Sequence, residues 1–129
     1  MHNTNDIYII YSLMSWPLIL KSPITQKQIK ELTTTFIEDM IKVAVDVENE
    51  VVAVGCALHA DAEQVLLKHG SEQKNVWGAN YFPFREKGDR LEYSALMNIR
   101  PRQNNASQLI QSKAFREKVK SIMEHYFEL

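Results

Sequence analysis

His59-Ala60-Asp61-Ala62-Glu63 gathers an imidazole and two carboxylates within five residues, just after an apolar run that ends at Leu58. An imidazole at such a junction can act as a general base near neutral pH, and Asp61, two residues later, could orient it. Asp61 also has a structural use. Asp61 and Gln64 have N-cap spacing, and a carboxylate at a helix start is favoured by free amides and the helix dipole. His59 could equally bond the backbone and do nothing more. A zinc site built from His59, Asp61 and Glu63 is not expected. A helix from Ala62 would break the alternation that puts them on one side, and no further His or Cys lies at ligand spacing. Neither a metal nor a cofactor is therefore expected.

A second polar group comprises Asn80, Asn98, Arg100, Arg102, Asn104 and Asn105. Alternation puts Asn98 and Arg100 on one strand face, and Arg100 opens a loop of amides. A guanidinium flanked by amide donors can hold a phosphate or carboxylate. The plainer alternatives are a weak surface pair of Arg100 with Glu92 or Asp46, and asparagines that only stabilise turns. The chemistry these residues suggest is capture of a small anionic or polar ligand. Asn80, Asn98, Arg100 and Asn105 would be its contacts, with His59 and Asp61 as catalytic candidates; whether any reaction follows is left open.

Topology decides whether the two groups meet. If the strands ending at Leu58 and Phe82 run antiparallel, His59 and Arg100 share a sheet end. If residues 61–70 form a parallel crossover, His59 lies near Asn80 and Arg100 at the far end. The first arrangement is the expectation.

The elements that must position these side chains read as follows. Residues 16–21 form a short strand ended by Ser22-Pro23. Thr25 and Gln28 have capping-box spacing, and Ile24 and Ile29 can staple the helix start. Ile29, Leu32, Phe36 and Ile37 line its inner face. Residues 41–47 alternate, with Ile41, Val43, Val45 and Val47 facing one way. A Glu48-Asn49 turn aligns Val45 with Val52 and Val43 with Val54, and leaves Ala44, Ala53 and Gly55 as a small-residue face open to close approach. A helix over 61–69 closes at Gly70. Strands follow over 76–82 and 91–100, and Ser112 caps a final helix with Phe115, Val119, Ile122, Met123 and Tyr126 inward. The expected fold is α+β: a mostly antiparallel sheet of four or five strands with about three helices packed on one face.

Composition narrows the functional classes. At 129 residues, 45% apolar and 24% charged, the chain fits one domain with a real core. Fifteen basic against sixteen acidic residues give a net charge of −1, so nucleic acid is not expected as a partner, even with Arg85, Lys87 and Arg90 near Tyr81 and Phe84. Cys56 is the sole cysteine, which excludes an intramolecular disulfide and fits a cytoplasmic protein. Residues 7–20 are largely apolar, yet lack flanking positive charges, contain Pro17 and fall short of the roughly 20 residues that span a bilayer. No membrane association is expected. Residues 1–15 read instead as a poorly packed extension, with Met14 a plausible start, leaving 16–129 as the domain.

Three stretches resemble one another's company in a known family: His59-Ala60-Asp61; Trp77-Gly78-Ala79-Asn80 with Pro83; and Asn98-Ile99-Arg100-Pro101 with Asn105 and Ser107. From about Trp16 onward the chain resembles a family of small prokaryotic proteins catalogued only as a domain of unknown function. The resemblance implies that the three segments belong together and supplies no reaction. That family's pattern starts later than Met1 and often carries a basic residue where Ala106 stands. The competing functional class is a non-enzymatic interaction module or homo-oligomer, using a sheet edge or the small-residue face.

Overall fold

The computed structural model describes residues 16–129, so the expected extension over 1–15 lies outside the described residues. The elements are β1 (Leu18–Ile19), α1 (Gln26–Thr35), β2 (Ile41–Asp46), β3 (Val51–Val54), α2 (His59–Lys68), β4 (Val76–Tyr81), β5 (Leu91–Glu92) and α3 (Lys113–Glu124). Short 3-10 turns at Gln73–Asn75, Leu96–Asn98 and Pro101–Gln103 fill the connections. Five strands pair antiparallel in the order β1-β3-β2-β4-β5. With three α-helices among the described residues, this is an α+β fold. Among the described residues no helix is long and apolar enough to cross a membrane.

The β2–β3 hairpin has the register expected from its alternation, Val43 opposite Val54 and Val45 opposite Val52. Slipping by one residue would turn the valines from the core, and that cost fixes the pairing. Asp46 secures the turn. Its Oδ1 accepts from the Glu48 and Asn49 amides at 2.9 and 3.0 Å, while Asn49 and Ser71 donate to Oδ2. Burial pushes the Asp46 carboxyl up, but these hydrogen bonds, Ser71's foremost, hold it below the ordinary aspartate value. Its contribution to stability is thus present above the unfolded pKa and lost as pH falls through the folded one.

The helices divide between the two faces of the sheet, which corrects the expected one-sided packing. Ile41, Val43, Val45, Trp77 and Tyr81 form the main core with Ile29 and Leu32 of α1 and Val119, Ile122 and Met123 of α3. On the other face Ala44, Ala53 and Val76 pack against Ala62 and Leu66 of α2. The small residues of that face are small because a helix of the same chain lies on them. Gly55 is likewise filled from within, since a Cβ there would run into the Trp16 ring.

Local signals at helix ends are largely realised. Thr25 and Gln28 make both capping-box bonds, at 3.0 and 3.1 Å. Ser112 Oγ accepts from the Phe115 amide at 3.2 Å. Gly70, at φ 102, ends α2 in the left-handed conformation that glycine tolerates. Two expectations fail. The strand over 91–100 stops at Glu92, and the chain turns through 3-10 geometry at Leu96–Asn98. Ile37 is not in the core: α1 ends at Thr35, and Ile37 swings out at φ 52 with 89% of its surface exposed.

A β-branched residue in this region is strained by about 1–2 kcal/mol, and the exposed side chain recovers little of that. Ile37→Gly is therefore expected to stabilise the protein, by roughly 0.5–1 kcal/mol after glycine's extra unfolded-state entropy is subtracted. The midpoint of thermal unfolding, followed by circular dichroism, should rise by a few degrees. An unchanged or lowered midpoint would show that the conformation carries no cost.

Candidate functional site

The chain between β3 and β4 is a crossover. Both strands run antiparallel to β2, which lies between them, and are thus parallel to each other. This is the alternative to the expected arrangement, and it puts His59 and Arg100 at opposite ends of β4. His59 meets the C-terminal end of β4, with Nε2 at 3.0 Å from the Ala79 carbonyl and 2.8 Å from Asn80 Oδ1. Arg100 meets the N-terminal end, where its guanidinium donates to the Val76 and Gln73 carbonyls. Val76 and Asn80 are about 13 Å apart at ~3.3 Å per strand residue. Arg100 borders a depression with Gln73, Pro101, Arg102 and Gln103, and His59 is not part of its lining.

His59 is the first residue of α2, and Asp61 lies in the exposed first turn rather than at the cap, which is Leu58. The N-cap role expected for Asp61 is thus not taken, because the helix starts two residues earlier. Both partners of His59 Nε2 are oxygen acceptors, so that nitrogen carries the proton. Burial lowers the His59 pKa below its ordinary value, against the opposing effect of the bonds to Ala79 and Asn80. The ring is a neutral donor that pins the start of α2 to β4. Among the described residues its hydrogen-bond partners are Ala79 and Asn80, and Asp61 is not one of them.

The asparagines have comparable duties. Asn80 accepts from His59 and donates to the Ser94 carbonyl at 3.0 Å. Asn98, fully buried, faces Gly78 as a strand would. Its Oδ1 accepts from the Gly78 amide at 2.8 Å, and its Nδ2 donates to the Gly78 carbonyl at 2.9 Å. Gly78 admits this approach because it lacks a side chain; a Cβ there would collide with Ala95 and come within 3.2 Å of His59. Asn105 donates to the Asn98, Ser107 and Leu109 carbonyls and accepts from the Gln111 amide at 2.8 Å.

Arg100 is similarly engaged. Nε donates to Met97, Nη1 to Gln73 and Gln103, and Nη2 to Val76 and to Glu63 at 3.5 Å. The guanidinium also lies 4.5 Å over the Trp77 ring. Burial pushes the Glu63 carboxyl up despite Arg100, and burial lowers Arg100 despite Glu63. Both shifts agree that desolvation outweighs the attraction between the partners. Ionising Glu63 therefore costs the fold stability as pH rises through its raised value. His59, Asp61 and Glu63 thus diverge, toward β4, solvent and Arg100 respectively.

The sequence-predicted anchors brace a different feature. Beside the N-terminal end of β4 lies a cleft of about 480 Å³, bounded by Lys74, Asn75, Asn104, Asn105, Ser112 and Lys118, with Trp77, Ile110 and Phe115 among its apolar lining. Trp77 and Phe115 meet edge-on, with ring centroids 5.0 Å apart. Two lysines and one carboxylate, Glu48, leave this lining with one net positive charge. Asn105 is the one predicted contact in it. Lys74 and Lys118 lack any sequence signature, since solvated lysines on turns and helices are common; the capping Ser112 is the nearest available signal.

The match to the family described as "Protein of unknown function (DUF5674)" runs over residues 18–126. The chain belongs to this family. The DUF5674 match encloses every element from β1 to α3, and with them His59, the asparagines, Arg100 and the cleft. No curated protein and no solved structure matches the chain.

Two outcomes follow for this DUF5674 domain. Asn98→Ala should leave the Gly78 amide and carbonyl buried and unpaired, costing roughly 2–6 kcal/mol at about 1–3 per group. Urea unfolding and amide exchange at Gly78 measure this; a loss within about 0.5 kcal/mol would mean that Gly78 finds other partners. For His59, a folded pKa below the unfolded value near 6.5 means stability is complete above that value and declines as pH falls toward the folded one. NMR titration should place His59 below the ordinary histidine range, and His59→Gln should flatten that limb of the stability profile. An unshifted titration contradicts the assignment.

Proposed function

We propose that this domain binds a small polar or anionic ligand in the cleft beside the start of β4. The observation that carries the reading is the cleft itself. About 480 Å³ of concave space has lysines and amides at its rim and an indole and a phenyl ring in its lining. That volume falls within the usual range of small-molecule sites, and a few polar groups around an apolar lining is their usual chemistry. Lys118 has no ion-pair or hydrogen-bond partner among the described residues, whereas Lys74 has an exposed and therefore weak pairing with Glu72 at 3.4 Å. Both ammonium groups are available to an anion. Trp77 also lines the cleft, and its buried Nε1 has no hydrogen-bond partner among the described residues.

In this reading Arg100 and Asn105 do not touch the ligand with their charged or amide ends. They hold the 101–105 turn against β4, and that turn forms one wall. His59 and Asn80 sit at the other end of the strand and take no part. The proposal is therefore of a binding domain, with no general base assigned.

Thermal-shift measurements against inorganic phosphate, phosphorylated metabolites and dicarboxylates test it. A ligand present at a hundred times its Kd should stabilise the wild type by about 2.7 kcal/mol. Lys118→Ala should lose most of that shift while keeping the unliganded midpoint, because Lys118 is exposed. Absence of any response across the panel, or an equal response in the variant, would remove the cleft as the binding site.

A further inference from the structure

The charges lining the cleft beside the start of β4 are not equivalent. Lys74 stands 3.4 Å from Glu72, so its charge is already answered within the chain. Two others are not. Among the described residues neither the Lys118 ammonium nor the Glu48 carboxylate has an ion-pair or hydrogen-bond partner. One unpaired cation and one unpaired anion therefore border a single concave space of about 480 Å³. A ligand that is only an anion would satisfy the first and be repelled by the second.

Both positions are set by the fold. Glu48 lies on the β2–β3 turn, where its amide donates to Asp46 Oδ1 at 2.9 Å. The preceding Val47 amide donates to the Asn75 carbonyl at 2.9 Å and ties that turn to the segment before β4. Lys118 comes from α3, one helical turn beyond Phe115, whose amide is held by the Ser112 cap. The two charged side chains thus reach the cleft from separate elements and do not pair with each other. Phe115, half-buried and edge-on to Trp77, adds an apolar surface to the same lining. Solvated side chains of either sign are ordinary on an open surface. Two of opposite sign bordering one concavity, with an aromatic ring among them, complement a small molecule that carries both charges.

We propose that the cleft takes a small zwitterion with an apolar body, an amino acid with an aromatic or aliphatic side chain. Its carboxylate faces Lys118, its ammonium faces Glu48, and its side chain lies against Phe115. The inference rests on the cleft's being a ligand site, and narrows the ligand from polar or anionic molecules in general to those carrying both charges.

Calorimetric titration with three matched probes tests it. Phenylalanine carries both charges, N-acetylphenylalanine lacks the ammonium, and phenethylamine lacks the carboxylate. Phenylalanine should bind the wild type tighter than either by about fivefold, the worth of one solvent-screened ion pair. Glu48→Gln should abolish its advantage over N-acetylphenylalanine, and Lys118→Ala its advantage over phenethylamine. Both side chains are exposed, so each variant should keep the wild-type unfolding midpoint, which is the control for folding. Equal affinity for the three probes would overturn the proposal, as would an advantage over N-acetylphenylalanine that survives Glu48→Gln. If phosphate or dicarboxylates stabilise the protein while phenylalanine does not bind, the zwitterion assignment falls and the cleft remains a ligand site. If no probe of either panel binds, both fall.

Discussion

Backbone groups along the outer side of β4 have to be paired, and side chains do much of that pairing. β5 is only two residues long and serves Asn80 and Tyr81. Toward the start of the strand, Asn98 supplies the donor and acceptor for Gly78, and Arg100 supplies the donor for the Val76 carbonyl. All of these strand residues are buried, so leaving such groups open costs about 1–3 kcal/mol each. The path of residues 93–111 follows from that demand. Ala95 must lie against Gly78, Asn98 must reach its peptide, and Asn105 must hold the Asn98 and Leu109 carbonyls in place. A regular strand over the same residues would have paired β4 with backbone alone and left the amide side chains idle.

This arrangement changes what the polar residues mean. Asn80, Asn98, Asn105, His59 and Arg100 carry the groups that usually bind ligands, and each is hydrogen-bonded within the chain. In the proposed reading Arg100 and Asn105 act on a ligand only through the 101–105 turn they hold, and His59 and Asn80 take no part. Plainer groups are less engaged: among the described residues Lys118 has no hydrogen-bond or ion-pair partner, and Lys74 has only its exposed pairing with Glu72. Burial tells the two kinds apart, because a buried polar group has to find its partner within the chain and an exposed one does not.

Where sequence and structure agree, the determining forces are local. The hairpin register follows from period-two alternation and the Asp46 turn, and the helix starts at Thr25 and Ser112 follow from side chains reaching three residues along. The α+β class follows from the same patterns. Disagreement begins where distant residues decide. The alternation over 91–100 is real as a pattern, but Asn98 is drawn to a peptide twenty residues earlier. Asp61 had good capping chemistry, yet α2 begins at His59, whose ring binds β4. The connection of residues 59–75 was long enough for either topology, and the burial of Ala62 and Leu66 on Ala44 and Ala53 selects the crossover. Ile37 kept the helical period of its neighbours, but the helix ended before it.

The order in which a ribosome releases these parts now has a physical consequence. The hairpin and α2 emerge before β4 and can pack on each other, since Ala44, Ala53, Ala62 and Leu66 all precede it. β4 then joins β2 with its other side bare, because Asn98 is still twenty residues from synthesis and Asn105 later still. Until those residues arrive, a nascent chain displays an unpaired strand margin to its neighbours on the same polysome. The asparagines that complete the finished molecule therefore also close its period of greatest exposure to misassembly.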